Sequence, residues 1–187
     1  MYAVVFEVEP KPERWEDYLG LAGALRPELL GIEGFVENIR YRSLRRAGWV
    51  LSLSVWADEA ALARWRAHPG HRQAQDLGRT EIFRHYRLRV GQTGGTGARG
   101  AISLIEPAAG MDPAEVSRGI EGAPGLEDWD MYEALLTPGS FLLALSWRDM
   151  AAARDDARRV PEGARVRLVA TERDYGMFER AEAPVRR

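Results

Sequence analysis

A carboxylate near the end of an apolar segment is the first candidate for chemistry in this sequence. Glu7 shares one face of an alternating segment with Ala3 and Val5, and Trp56 ends a second apolar segment. A carboxylate on a sheet face that helices cover would have a raised pKa and could accept a proton from a phenol or quinol. An indole offers a broad apolar wall with one N–H group. We therefore predict Glu7 and Trp56 as catalytic residues; the alternatives are a carboxylate paired with arginine and a core tryptophan.

Polar side chains accompany this indole on two neighbouring segments. Ser52 and Ser54 alternate with apolar residues and so share its strand face. Asn38, Arg40 and Arg42 alternate in the same way on the preceding segment, where they could meet an anionic ligand or face water. We predict that Asn38, Ser52 and Ser54 bind substrate.

An aromatic residue and two histidines follow on a predicted helix and at its end. Trp65 marks the inner face of that helix, and Pro69 separates His68 from His71. No third ligand is marked by spacing, so we predict no metal site. We predict that Trp65, His68 and His71 contact the substrate; the alternative for the histidines is to cap and terminate a helix.

Composition narrows the function classes. The 187 residues include 45% hydrophobic and 29% charged residues, with a formal net charge of −2 and a pI of about 6.0. This balance is typical of a folded domain and gives no positive field for nucleic acid. The absence of cysteine excludes disulfides and thiolate sites. No segment has the length and apolarity of a membrane span, so we expect a cytoplasmic protein without a membrane or nucleic-acid partner.

A glycine-rich stretch separates two halves that align without gaps. At an offset of 91 positions nine residues are identical, beginning with Gly34 and Gly125 and ending with Ala61 and Ala152. We interpret this as an internal duplication. The predicted organisation is a first domain over residues 1–90, a linker over 91–100, a second domain over 101–180 and a tail over 181–187.

Each half shows the same order of periodicities. In the first half, alternation of apolar residues predicts a strand over residues 2–8, and a helical pattern follows it. The next predicted elements are a hairpin over 34–56, a helix from Asp58 and a last strand over 81–90. The second half repeats this order from Ala101 to Phe178 with a shorter first helix. The order βαββαβ predicts an α+β protein made of two ferredoxin-like units.

Several motifs of the first half resemble the antibiotic biosynthesis monooxygenase family, and in particular its haem-degrading-monooxygenase-like branch. The motifs are Gly34 to Glu37, Leu51 to Glu59, Trp65, His68 to Gln75, Gly78-Arg79 and Tyr86 to Val90. The likeness covers nearly all of residues 1–92, and residues 101–180 resemble a diverged second copy. It implies a dimeric-type α/β barrel within one chain, an intrachain pseudo-dimer that could itself form a homodimer, with a pocket between each sheet and its helices.

The resemblance also implies a function. Some members of the family oxidise polyketide anthrones or quinols with O₂ and no cofactor, and others open the haem ring. The positions of the family's asparagine and tyrosine hold Ser52 and Leu62 here, and the position of its haem-ligating histidine holds Gln75. We expect a monooxygenase that acts on a planar aromatic molecule without a cofactor, with haem as an alternative substrate. The competing hypothesis is a non-catalytic small-molecule binding or stress-response protein that retains the barrel.

Overall fold

The computed structural model describes residues 1–96, 99–157 and 159–184. Residues 97 and 98 of the predicted linker, residue 158 in the last predicted helix and residues 185–187 of the predicted tail lie outside the described residues. The first half contains four strands and four helices, in the order β1 (Tyr2–Pro10), α1 (Trp15–Ala24), α2 (Arg26–Leu30), β2 (Phe35–Ser43), β3 (Val50–Trp56), α3 (Glu59–Ala67), α4 (Pro69–Leu77) and β4 (Phe83–Thr93). A 3₁₀ turn (Pro12–Arg14) precedes α1, and a π-helical turn (Gly78–Ile82) follows α4.

The second half has the same strand order with shorter helices. Its elements are β5 (Ala101–Glu106), α5 (Pro113–Val116), β6 (Leu126–Ala134), β7 (Phe141–Trp147), α6 (Met150–Ala157) and β8 (Arg165–Gly176). None of the helices within the described ranges is both long and apolar enough to cross a membrane.

The eight strands form one closed antiparallel barrel in the order β1-β3-β2-β6-β7-β5-β8-β4. Two pairings join the halves: β2 pairs briefly with β6, and β4 pairs over most of its length with β8. The predicted α+β fold of two ferredoxin-like units in one barrel is confirmed.

The barrel interior holds a core to which both halves contribute. Ala3, Val5 and Leu53 meet Leu104 and Leu142 there. The helices lie on the outer face of the sheet, so the strands that they cover are buried on both sides. Alternating side chains of these strands therefore serve two separate cores.

The positive φ of Gly34 shows how the first hairpin is positioned. Gly34 has a φ of 84°, and a Cβ at this position would lie 2.7 Å from the Cβ of Ala61 on α3. Only glycine adopts this conformation without strain and also leaves room for the helix. β2 therefore begins directly beneath α3, and its pocket-side residues lie under the helical layer.

Candidate functional site

A cavity of about 650 Å³ lies between the helices and the sheet of the first half. Its floor is formed by alternate residues of β2, β3, β1, β4 and β8, and its roof by α1 to α4. Of the predicted site residues it is lined by Asn38, Ser52, Ser54, Trp56, Trp65 and His71.

The pairing register arranges the floor of the cavity in two rows. One row consists of Asn38, Ser54, Val4, Val90 and Arg173, and the next of Arg40, Ser52, Phe6, Leu88 and Tyr175. Each row is polar on β2 and β3, apolar on β1 and β4, and carries a polar group again on β8. The cavity therefore suits a molecule with an apolar body and polar groups at its ends.

The polar end of the floor is held together by hydrogen bonds. The Asn38 amide nitrogen donates to Ser52 Oγ at 3.0 Å and to the Leu53 carbonyl at 2.9 Å. The Trp56 indole donates to Ser54 Oγ at 3.0 Å and packs edge-on against Phe35. Trp56 is fully buried, so it serves both as core and as cavity wall.

His71 is fixed in the roof by its neighbours. Pro69 occupies the first turn of α4, where its missing N–H costs no hydrogen bond, and places His71 in the same turn. The imidazole stacks on Trp65 with ring centres 4.4 Å apart, and its Nδ1 lies 3.0 Å from the Trp65 carbonyl. Because the carbonyl only accepts, Nδ1 carries the ring hydrogen and Nε2 is the proton acceptor. Burial lowers the pKa of His71 to about 4, so the ring is neutral at pH 7.

His68 lies differently from His71, although both were predicted to contact substrate. It is the residue between α3 and α4, and it does not line the cavity. Its ring packs on Trp65 from further away, with centres 5.5 Å apart, and its Nδ1 lies 3.3 Å from Glu28 Oε2. The placement follows from the break at Pro69, which separates the two histidines.

The prediction that Glu7 lies in the cavity is wrong. Ala3, Val5 and Glu7 face the barrel interior, because the register of β1 on β3 places Val4 and Phe6 beside the cavity serines. Both faces of β1 are buried, so alternation alone does not distinguish them.

Glu7 instead forms part of a buried polar cluster that joins the two halves. Its carboxylate accepts from Arg46 Nη2 at 2.6 Å, Arg89 Nη2 at 2.6 Å and the Tyr132 hydroxyl at 2.8 Å. Arg89 also donates to Ser146 Oγ. Burial raises the pKa of Glu7, but the two guanidinium groups and these hydrogen bonds outweigh it and lower the pKa to about 2. An acid this strong is a poor proton acceptor.

Many residues that line the cavity were not among the predicted site residues, and several of these are polar. Tyr18 of α1 and Arg40 of β2 lie on the cavity, and Arg173 and Tyr175 reach it from β8 of the second half. Alternation with Asn38 already placed Arg40 on the relevant face, but only the position of α1 distinguishes a covered arginine from a solvated one. No local signal in the first half indicates the contribution of β8.

The corresponding space in the second half is filled. At the same offset of 91 positions, the four floor residues Asn38, Arg40, Ser52 and Ser54 become Trp129, Met131, Leu143 and Leu145, in the same strand register. These side chains join Trp147 and the residues of α5 and α6 in one apolar cluster. The first half therefore has both the polar floor residues and the open cavity, whereas apolar side chains fill the corresponding region of the second half.

The described part of the chain contains no group of three or more His, Asp or Glu side chains placed to hold a metal ion.

Comparison with known proteins gives matches over the whole chain. A sequence profile described as "Antibiotic biosynthesis monooxygenase" matches residues 1–77. A protein of Pyricularia oryzae named "Jasmonate monooxygenase ABM" is 39% identical over 213 aligned residues, which cover 98% of this chain and 97% of that protein.

Two solved structures are more distant. An anthrone oxidase-like protein is 14% identical, with 98% of this chain and 96% of that chain covered and a TM-score of 0.41. A conserved protein of Methanosarcina mazei is 22% identical over 48% of this chain and 88% of its own, with a TM-score of 0.45. At these distances neither structure carries an argument about function.

Proposed function

Because the chain belongs to the antibiotic biosynthesis monooxygenase family, we propose that it oxidises a small, flat, largely apolar molecule with O₂ in the cavity of its first half. The predicted family is confirmed by the relative that matches the chain throughout, and its name supports a monooxygenase role. The observation that carries the proposal is the cavity of about 650 Å³ whose floor is polar at its ends, beneath a neutral histidine.

Substrates of the anthrone or quinol type fit a site built only from side chains. Removal of a proton gives an electron-rich anion that can reduce O₂ directly. In an anthrone the ring CH₂ becomes a carbonyl that retains one oxygen atom, and its two hydrogens leave with the other oxygen as water. The substrate itself supplies the electrons, so the reaction balances without a further reductant.

His71 is the residue that we assign to the proton transfer. Its Nδ1–H is held by the Trp65 carbonyl, and the stacked Trp65 ring fixes the plane of the imidazole. This orientation directs the accepting role to Nε2, and the same carbonyl stabilises the imidazolium that forms. Because the pKa of His71 is low, the imidazole is a weak base, and proton transfer from an anthrone or quinol requires that the cavity also stabilise the anion that forms.

The relative from Pyricularia oryzae suggests a second kind of substrate. Its name gives jasmonate, a carboxylic acid with a cyclopentanone ring and an apolar side chain. We therefore include jasmonate beside anthrones, quinols and haemin in the substrate panel, and we supply a two-electron reductant such as ascorbate with jasmonate and haemin, which do not provide the electrons themselves.

The test is O₂ consumption by the wild type and by two histidine variants with each member of the panel. We expect uptake with at least one substrate, and a fall of about 10² to 10⁴-fold in kcat for His71→Gln with little change in KM. His68→Gln is the matched control, because His68 lies outside the cavity. Full activity of His71→Gln would remove His71 from the mechanism. No uptake by the wild type with any substrate would favour the non-catalytic binding protein.

A further inference from the structure

Two buried donors at the β2 end of the cavity have no hydrogen-bond partner among the described residues. They are the Tyr18 hydroxyl on α1 and Nε of Arg40 on β2. Both residues line the cavity, and Tyr18 is only 5% exposed. A buried donor without a partner destabilises the folded protein. Two such donors from different elements, beside one cavity, indicate a ligand that accepts hydrogen bonds.

The two groups also act on each other. Burial raises the pKa of Tyr18, and the charge of Arg40 together with the approach of its N–H groups to the phenol oxygen opposes that shift; the phenol's own O–H is left without an acceptor within the described ranges. The Tyr18 hydroxyl therefore stays protonated at neutral pH and available as a donor. The pair supplies one positive charge and two donors without a partner in the described structure, the Tyr18 O–H and the Arg40 Nε–H, on residues that line the cavity.

The charge of Arg40 is not balanced by an ion pair within the described part of the chain. Its neighbours on the floor are the neutral Ser52 and Asn38. Arg173, at the opposite edge of the floor, also has two buried nitrogens without a partner in that part of the chain, Nε and Nη2, but its charge is balanced by Glu59, whose Oε1 lies 2.8 Å from Nη1. An anion would gain more at the β2 end than at the β8 end.

We propose that Arg40 and Tyr18 bind the carboxylate of the substrate, while its apolar body lies over the residues of β1 and β4. A carboxylate has one negative charge and two oxygens, which match one guanidinium and one hydroxyl. A phosphate dianion would require a second positive charge. The proposal rests on the cavity of the proposed function and specifies the class of its substrate.

The second half provides an internal comparison. Met131 occupies the position of Arg40 in the same register, in a region packed with apolar side chains. The guanidinium is therefore not required to build a strand of this kind. It is present on the side where the cavity is open.

The experiment compares the binding of acids with that of their uncharged esters. Calorimetry would measure 2-naphthoate against methyl 2-naphthoate, and jasmonate against methyl jasmonate, with the full-length protein. In the wild type we expect at least one acid to bind about 10-fold or more tightly than its ester. In Arg40→Gln that acid should lose about 10- to 100-fold in affinity while the ester is little changed.

Three further variants separate recognition from folding. Arg40→Lys keeps the charge and should retain part of the acid preference, and Tyr18→Phe should weaken acid binding while raising the stability of the free protein. Arg173→Gln removes a cavity arginine at the other edge and should leave the ratio of acid to ester unchanged. Equal binding of acid and ester by the wild type, no binding of either acid, or an unchanged ratio in Arg40→Gln would each overturn the proposal.

The result is independent of turnover. Acid preference that depends on Arg40, without O₂ uptake, would uphold the carboxylate site and refute the monooxygenase. O₂ uptake with an uncharged anthrone, without preferential binding of acids, would uphold the monooxygenase and refute the carboxylate site.

Discussion

Protonation of Glu7 should loosen the connection between the two halves of the barrel. Glu7 is 6% exposed, and its carboxylate accepts hydrogen bonds from Arg46, Arg89 and Tyr132. The pKa of Glu7 is lower in the folded protein than in the unfolded chain. The ionised carboxylate therefore gives its full stabilisation of the folded protein at pH values above the pKa of the unfolded chain. That contribution is lost as pH falls toward the folded value of about 2.

The magnitude follows from the two pKa values. A shift from 4.5 to about 2 corresponds to about 3 kcal/mol of the free energy of unfolding at pH 7, at about 1.4 kcal/mol for each pKa unit. The same relation leaves about 1 kcal/mol at pH 3. Glu7→Gln removes this contribution and leaves Arg89 without its anionic partner, so we expect a loss of about 3 to 5 kcal/mol at neutral pH.

Urea unfolding of wild type and Glu7→Gln between pH 7 and pH 3 measures this directly. The difference between them should shrink by about 2 kcal/mol over that range. Glu106→Gln is the control, because Glu106 pairs with the well-exposed Arg165 and should cost no more than about 1 kcal/mol. A difference that does not change with pH would refute the assigned ionisation of Glu7. Loss of turnover in folded Glu7→Gln, with ligand binding intact, would restore Glu7 as a base.

Two further predictions concern packing. Trp147→Phe should lower the free energy of unfolding in urea by about 2 to 3 kcal/mol, because it leaves the fully buried Ser103 hydroxyl without its donor in a closed core. Trp56→Phe should lower it by only about 1 kcal/mol, because the space it leaves opens onto an existing cavity. Equal losses in the two variants would contradict this reasoning. A fragment of residues 1–92 should self-associate in light scattering, since it exposes the inner face of its sheet and the edges of β2 and β4. A stable, monodisperse monomer would show that the first half does not depend on the second.

The sequence predicts where the strands and helices lie better than it predicts what each face of a strand packs against. Alternation and turn residues identify the strands, and the serines opposite the leucines of β3 reveal which of its faces is polar. β1 has apolar residues on both faces, so the position of Glu7 depends on a strand register that no local pattern specifies.

The site is predictable only in part, for a related reason. Asn38, Ser52, Ser54 and Trp56 lie together because they occupy neighbouring positions on one face of a hairpin, which is a local property. Arg40 depends on a helix that packs over it, and Arg173 on a strand from the other half. The sequence around each of these arginines does not indicate such long-range packing.

The position of β8 affects how the cavity can form during synthesis. Its early residues pair with β5, and its later residues, including Arg173 and Tyr175, pair with β4 and line the cavity of the first half. Pairings between distant segments form slowly, because the chain must close a long loop before it gains contacts. On the ribosome the first half emerges well before residues 165–176. Its cavity therefore lacks one wall until residues 165–176 have been translated, and a chain released before that point carries an open site.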